Sequence, residues 1–265
     1  MINSIKDYNK KNRRKKIVVI LCQFTLLFVI LGCWELLAHF NIINEFLLSK
    51  PSSIFNLFLN YIKNGVLFDH LLVSTFEALI ALIISTILGI FISILLFLSE
   101  SVMKIIDPFL TVLNAIPKSA SGIIFIIWFG TSYKGIIAVS ISFSIIITII
   151  NCLSYFKTVD TDLIKMAKVL GANKFQILFK IILPASLENL LSLFKVNIGL
   201  SWVGVVVGEF LVSKKGIGYL ILYGGQVFKM DLVMMGIFVL SFIALGMYQL
   251  MNLFQKLVRK FINHN

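Results

Sequence analysis

Long uninterrupted apolar runs constrain this chain more than any other feature of its sequence. Hydrophobic residues make up 59% of the 265 residues, charged residues make up 14%, and the mean hydropathy is +0.98. A helix needs about 20 apolar residues to cross a hydrocarbon core of roughly 30 Å. A transmembrane β-barrel would need short segments that alternate apolar and polar residues. The sequence therefore predicts an all-α polytopic membrane protein.

Six of these runs are long enough to be transmembrane helices. They cover about residues 17–40, 76–98, 108–129, 135–156, 190–211 and 232–254. The first run could also be a signal peptide, because a basic tail precedes it and Leu31-Gly32-Cys33 resembles a lipoprotein cleavage site. It continues past Cys33 to about Phe40, whereas a signal core has only about 7–15 residues, so an uncleaved first span is favoured.

The basic residues predict how the spans are oriented. The chain divides into a basic tail (1–16), a first helix with an external connection that holds a short amphipathic helix (17–69), the remaining spans (70–255) and a second tail (256–265). Lysine and arginine total 16 in the two tails and in segments 99–107 and 157–189, but 6 in segments 41–70, 130–134 and 212–231. The positive-inside rule therefore places both termini and segment 157–189 in the cytoplasm, and the protein in the cell membrane.

The net charge of +12 does not predict a nucleic acid partner, because the basic residues follow the loops between spans. Three cysteines, Cys22, Cys33 and Cys152, lie in or beside apolar segments without metal-ligand spacing, and we expect buried free thiols. No metal or cofactor is expected on this chain.

Segment 160–190 is polar, basic and amphipathic, and it predicts two short helices joined by a glycine turn. Asp160 and Asp162 suit the start of the first helix, and Gly171 suits a left-handed position at its end. Asn173 and Gln176 form a weak capping box for the second helix. The expected apolar faces are Leu163, Met166, Ala167 and Leu170 in the first helix, and Phe175, Leu178, Phe179 and Ile182 in the second.

Pro184 is expected to end the second of these helices, because proline cannot donate the helical hydrogen bond. From spacing alone, the segment is either a surface hairpin without a partner or a contact site for a soluble protein.

The pattern of this segment resembles the coupling loop of permease subunits of bacterial ATP-binding-cassette (ABC) importers. It is carried by Ala167, Gly171, Ala172, Phe175, Leu183 and Pro184. Further similar positions run from about residue 34 to residue 255: Trp34-Glu35, Pro51-Ser52, His70, Ser74, Asp107-Pro108, Pro117, Ala120, Trp128-Phe129-Gly130, the run 204–209, and Gly216-Ile217-Gly218-Tyr219. Together they resemble the taurine, alkanesulfonate and nitrate branch, which includes permeases for thiamine-precursor pyrimidines.

The resemblance implies a type I ABC importer permease fold over residues 70–255, with coupling helices at about 160–184. It implies that the chain translocates a sulfonate, taurine or nitrate-like anion, or a thiamine-precursor pyrimidine, delivered by an extracytoplasmic solute-binding protein. ATP and Mg would be bound by separate cytosolic ATPase subunits, and the permease itself would not be an enzyme. Because one copy has six spans, we expect a pore to need two copies, as a permease homodimer.

The chain departs from the family pattern in several places. Lys165 stands where an acidic residue is usual, and Met166 stands where an alanine is usual. Glu77 replaces an arginine in the second span, Ile123 replaces a second proline in the third, and Lys118 follows Pro117 in place of an apolar residue. Lys165 would alter the chemistry of the contact with the ATPase. The changes in the spans weaken any inference of this chain's substrate from the substrates of relatives.

Three charged residues fall in or beside the predicted spans, where a charge costs about 2.5–3.5 kcal/mol at a helix centre. Glu77, Lys118 and Glu209 are therefore candidates for the permeation pathway. The alternatives are that Glu77 reaches water at the outer end of its span, that Lys118 pairs with a carboxylate, and that Glu209 is interfacial.

Small residues form a stripe on the fifth span. Ser201, Gly204 and Gly208 would allow close approach of another helix, either within one subunit or at a subunit interface.

An ion-coupled secondary transporter is the alternative function. Such carriers often have repeated halves with broken helices in matching positions. No internal repeat is evident, and only the third span is visibly interrupted. A membrane enzyme is less favoured still, because the sequence contains no G-x-x-x-x-G-K-[ST], H-E-x-x-H or G-x-S-x-G motif.

Overall fold

The computed structural model describes the backbone of residues 2–262 and the side chains of Lys15 and residues 17–260. Residues 1 and 263–265, at the ends of the two predicted tails, and most basic side chains of the N-terminal tail lie outside this description. The helices are α1 (Ile2–His39), α2 (Glu45–Leu48), α3 (Pro51–Lys63), α4 (Val66–Leu98), α5 (Glu100–Ala115), α6 (Lys118–Phe129), α7 (Tyr133–Lys157), α8 (Thr161–Val169), α9 (Lys174–Ile177), a π-helical turn (Leu178–Ile182), α10 (Leu183–Val212), α11 (Ile217–Gln226) and α12 (Met230–Ile262). No strand occurs in the described part of the chain, so the predicted all-α class is confirmed.

Five segments are long and apolar enough to cross a membrane by themselves. They are Ile17–His39, Val66–Leu98, Tyr133–Lys157, Lys174–Val212 and Met230–Lys260. A sixth candidate is the pair α5 and α6, which is bent by 99° at Pro117. The two halves are 16 and 12 residues long, so neither alone spans a core of roughly 30 Å.

The ends of this bent pair lie at opposite ends of the bundle. Glu100, which begins α5, shares a cleft with Lys157 and Lys174. Ser132, just after α6, shares a cavity with Ser213 and with Lys215. The pair therefore connects one membrane face with the other as a broken span, and the chain crosses six times as predicted.

Helix α7 lies at the centre of the bundle, packed between α4 and α10. A buried polar layer joins these three helices. The side-chain amide of Asn197 in α10 donates to the hydroxyls of Thr86 in α4 (2.8 Å) and Thr148 in α7 (2.9 Å). Sequence reasoning did not select Asn197, although an amide inside an apolar run is a signal for such a contact.

Several predicted boundaries are wrong. The expected turn at 99–107 is the first half of α5, because Ser99 caps that helix by accepting from the backbone N–H of Val102. Helix α4 begins ten residues before the predicted second span. The fifth span is a continuous 39-residue segment, Lys174–Val212, so Pro184 does not end a helix. The π-helical turn just before it rearranges the backbone hydrogen bonds, which accommodates a residue that has no N–H.

Two smaller expectations have different outcomes. The predicted amphipathic helix of the 41–70 connection is α3, which buries Ile54. The expectation of three buried thiols is wrong, because Cys22 and Cys33 are exposed on α1 and only Cys152 is buried. Helix α1 buries little of itself against the rest of the chain, so its apolar surface is available to lipid.

Candidate functional site

The segment after α7 folds as a helical hairpin whose inner side is buried against the membrane helices. Ala167 of α8 and Leu178 of the π-helical turn belong to one apolar cluster with Phe156 of α7 and Leu193 of α10. Leu178 has no exposed surface. Ala172 and Leu183 pack against the same cluster, completed by Cys152, Val159, Ile177, Ile182 and Leu190. The hairpin is thereby joined to two spans through apolar burial.

The turn of the hairpin has the local structure that the sequence predicts. Gly171 has φ +82°, and the bonds from Gly171 N–H to Lys168 O (3.0 Å) and from Ala172 N–H to Ala167 O (2.9 Å) form a Schellman motif. The side chain of Asp160 accepts from the N–H of Asp162 at 2.8 Å.

The second helix of the hairpin begins with the predicted capping box. Asn173 accepts from the N–H of Gln176 at 2.8 Å, and Gln176 accepts from the N–H of Asn173 at 2.9 Å. Both N-terminal caps and the left-handed glycine are therefore confirmed.

The predicted apolar faces are each divided between the inner and outer sides of the hairpin. In α8, Ala167 is buried while Leu163, Met166 and Leu170 are exposed, and Ile164 packs inward in their place. After α9 the π-helical turn changes the angular spacing, so Leu178 and Ile182 point inward and Phe175 and Phe179 outward. The two predicted faces therefore do not form one buried surface.

An exposed apolar and basic surface results, which we call the outer hairpin surface. Its apolar members are Leu163, Met166, Val169, Leu170, Phe175 and Phe179, and its basic members are Lys165, Lys168, Lys174 and Lys180. Val169 is 87% exposed and Phe175 is 60% exposed. Lys165 forms an exposed ion pair with Asp162 at 2.9 Å, so its charge is balanced within α8. Pro184 is also exposed, one turn beyond this surface.

A polar cluster at the end of the bundle opposite the hairpin forms hydrogen bonds with the first residues of α11. The carboxylate of Glu209 accepts from the hydroxyl of Ser74 (2.5 Å) and from the backbone N–H groups of Gly218 (2.6 Å) and Tyr219 (3.2 Å). Nδ1 of His70 lies 2.9 Å from the N–H of Gly216. Glu209 lies near the end of α10 and is fully buried, so its carboxylate is shielded from solvent by the protein. Its negative charge lies at the N-terminus of α11, where a helix favours an anion.

Glu77 lies beside this cluster and lines a cavity of about 810 Å³. Only 2% of Glu77 is exposed, so its side chain is buried at the edge of this cavity. Residues 131–133 and 212–215 form much of the rest of the cavity, including Lys214 and Lys215. Of the three candidate pathway residues, the structure brings together Glu77 and Glu209 but not Lys118.

Lys118 begins α6 immediately after the break at Pro117. Its ammonium group donates to the carbonyl oxygen of Phe143 at 3.0 Å and lies 5.9 Å from the centre of that ring. Phe143 is near the middle of α7, so Lys118 lies near mid-depth in the bundle. Among the described residues no carboxylate pairs with it, and its side chain is half-buried.

The small-residue stripe of α10 faces α7 within the same chain. A Cβ added at Gly204 would lie 2.5 Å from Cα of Ser140, and one added at Gly208 would lie 3.1 Å from Cα of Ile136. The carbonyl of Ser201 accepts from the hydroxyl of Ser140 at 2.8 Å. These residues are buried inside one subunit, so the alternative that they form a subunit interface is wrong.

Comparison with known proteins adds to these observations. The model of the family described as "Binding-protein-dependent transport system inner membrane component" matches residues 85–264. The SsuC permease protein of Bacillus subtilis, named for aliphatic sulfonate transport, is 32% identical over 80% of this chain and 77% of its own. An ABC transporter permease protein of Methanocaldococcus jannaschii is 30% identical over 92% of both chains. The taurine transport system permease protein TauC of Escherichia coli is 27% identical over 82% of this chain and 80% of its own.

The chain belongs to the family of inner membrane components of binding-protein-dependent transport systems, as a permease subunit of the ABC type.

Proposed function

We propose that this permease imports a small organic or inorganic anion, and that a separate cytosolic ATPase docks on the outer hairpin surface. The observation that carries the proposal is the exposure of six large apolar side chains and four lysines on a hairpin whose other side is packed against two spans. A water-exposed apolar surface of this kind marks a contact site for another protein. The lysines favour a partner surface that is negatively charged.

The ATPase would drive transport through this contact. Because Leu178 and Ala167 pack against α7 and α10, a displacement of the hairpin is transmitted to these spans through close-packed side chains. Alternation between two arrangements of the spans would then follow closure and opening of an ATPase dimer, which binds ATP and Mg. This chain would take no catalytic part in hydrolysis.

Orientation and partners follow from the same scheme. Both termini and the hairpin would be cytoplasmic, and segments 41–70 and 212–231 would face an extracytoplasmic solute-binding protein. The hairpin and segment 212–215 lie at opposite ends of the bundle, which agrees with this division. A complete pathway would form between two permease copies, as a homodimer.

The class of solute is proposed from one charge and from the relatives. Lys118 is a cation near mid-depth without a carboxylate partner in the described part of the chain. Such a charge favours an anion in the pathway. The names of SsuC and TauC point to sulfonates, and the branch resemblance adds nitrate and thiamine-precursor pyrimidines.

Cross-linking tests the contact with the ATPase. Val169 and Leu170 project from the outer hairpin surface, so cysteines at these positions should cross-link to a co-expressed ATPase subunit. The yield of cross-linked product should change with the nucleotide that is bound to the ATPase. A cysteine at Lys215, at the opposite end of the bundle, is the matched control. Equal cross-linking at both ends would refute the docking site.

Ligand binding to the cognate binding protein tests the solute class. We expect a taurine, alkanesulfonate or nitrate ligand to stabilise that protein against heat. Stabilisation by a pyrimidine alone would remove the anion proposal while leaving the ATPase contact untouched.

A further inference from the structure

Two glutamates from different spans meet in the buried part of the bundle at the end opposite the hairpin. Glu77 lies one turn of α4 beyond Ser74, whose hydroxyl donates to the carboxylate of Glu209 on α10 at 2.5 Å, so the two glutamate side chains are within reach of each other. Glu77 is 2% exposed and Glu209 is fully buried. Two carboxylates in contact in such a place cannot both remain ionised, because their repulsion is poorly screened there.

The hydrogen bonds around the two groups differ sharply. Glu209 accepts three hydrogen bonds, from Ser74, Gly218 and Tyr219, and it lies at the N-terminus of α11. One oxygen of Glu77, Oε2, is fully buried and has no hydrogen-bond partner. None of the ion pairs in the described residues includes either glutamate. The negative charge is therefore best stabilised on Glu209, and a proton is best placed on Glu77.

We propose that Glu77 and Glu209 form a proton-binding site, in which the protonated carboxyl of Glu77 donates to the carboxylate of Glu209. The shared proton leaves a single charge on the pair, and that charge caps α11. The hydrogen bond between the two side chains also bridges α4 and α10, two spans that contact each other directly. Loss of the proton places two like charges together, which pushes these spans apart at this end of the bundle.

The cavity beside Glu77 supplies a route for the proton. Its volume of about 810 Å³ is large enough for many water molecules, and Thr131, Ser132 and Ser213 contribute polar groups to its walls. Glu77 lines the cavity whereas Glu209 does not. Protons therefore exchange at this end of the bundle, on the side opposite the hairpin, and this holds for either orientation of the chain in the membrane.

Other titratable groups face the pair and must be separated from it in an experiment. They are His70 on α4, Tyr133 on α7, Tyr219 on α11 and the loop residues Lys214 and Lys215. Of these, only His70 ordinarily titrates between pH 5 and 8. His70→Asn is the matched control, because the asparagine oxygen can still accept from the N–H of Gly216.

Infrared spectroscopy of the purified permease tests the proton directly. We expect the absorption of a protonated carboxyl group to persist well above pH 4.3, the ordinary value for glutamic acid. Glu77→Gln should abolish this absorption, because glutamine keeps the donor to Glu209 without a titrating group. His70→Asn and the exposed control Glu100→Gln should retain it.

Thermal unfolding across pH gives a second readout. The native pair holds a proton that the unfolded chain releases above about pH 4.3, so the melting temperature of the wild type should fall as pH rises. A fall of about 2–4 °C or more between pH 6 and pH 9 is expected, and it should be absent in Glu77→Gln.

Three results would overturn the proposal. The first is a wild-type spectrum without a protonated carboxyl group at pH 6. The second is a pH dependence of unfolding that survives in Glu77→Gln and disappears in His70→Asn. The third is stabilisation by Na⁺ at constant pH that requires Glu77, because a bound cation would then hold the two carboxylates together. None of these measurements uses the ATPase, the binding protein or a solute, so their outcome is separate from that of the proposed function.

Discussion

The backbone N–H of Ala172 donates to the carbonyl oxygen of Ala167 at 2.9 Å, and this bond closes the hairpin turn around Gly171. A Cβ at Gly171 would meet no atom within 4 Å, but its φ of +82° disfavours any branched side chain. Gly171→Val should therefore strain the turn by about 1–3 kcal/mol. The variant should reach the membrane at normal levels and lose ATPase in co-purification, or lose the stimulation of ATP hydrolysis by the binding protein.

Gly171→Asn is the control for this substitution, because asparagine tolerates the left-handed conformation better than other non-glycine residues. It should retain most of the ATPase association. If Gly171→Val also retained normal association and normal stimulation, the hairpin would not couple the two proteins.

Phe175 and Leu178 are three residues apart but face opposite sides of the hairpin. Because Phe175 is largely exposed, Phe175→Ala should change the stability of the isolated permease by less than about 0.5 kcal/mol and weaken ATPase binding. Leu178→Ala should destabilise the permease by about 2–5 kcal/mol, because it opens a cavity in the cluster under the hairpin. Thermal unfolding and co-purification, measured on both variants, distinguish the two roles, and an equal loss of stability would contradict them.

Gly204 and Gly199 provide a matched pair on the same helix. A Cβ at Gly204 would collide with the backbone of Ser140, whereas one at Gly199 meets nothing within 4 Å. Gly204→Ala should therefore separate α10 from α7 and destabilise the protein by about 1–3 kcal/mol. Gly199→Ala should be neutral or stabilising by up to about 1 kcal/mol. Equal melting temperatures for the two variants would contradict this prediction, because they would show that α10 and α7 accommodate a methyl group at Gly204 without loss of stability.

The proposed orientation rests on the 16-to-6 division of basic residues between two sets of loops. In a background without native cysteines, single cysteines at Asn64 and Lys215 should react with an impermeant reagent in intact cells. A cysteine at Lys174 should react only after permeabilisation. Labelling at Lys174 in intact cells would reverse the orientation.

Lys118 is expected to affect transport more than assembly, because its ammonium group contacts only a carbonyl and a ring among the described residues. Lys118→Leu should leave membrane levels near normal and reduce uptake of an anionic solute. Lys195→Leu is a suitable control, because that lysine lies over the ring of Tyr248 on α12. Unchanged uptake in Lys118→Leu would assign Lys118 a structural role.

The sequence by itself determined the membrane class, the six crossings and the local structure of the hairpin. These features depend on nearby residues, since a span needs only a long apolar run and a cap needs only a side chain within three residues. Asp160, Gly171 and the pair Asn173 and Gln176 therefore act as the sequence predicts.

Only the tertiary structure decided which side chains are buried and which are exposed. Spacing placed Phe175 and Leu178 on one face, but the π-helical turn after Ile177 directs them to opposite sides. The π-helical turn also accommodates Pro184, so the span continues past the residue that was predicted to end a helix. The contact between Glu77 and Glu209 joins residues 132 positions apart, and no local pattern can encode such a distance. It exists because α4 and α10 pack together at the end of the bundle opposite the hairpin, where both carboxyl groups are buried.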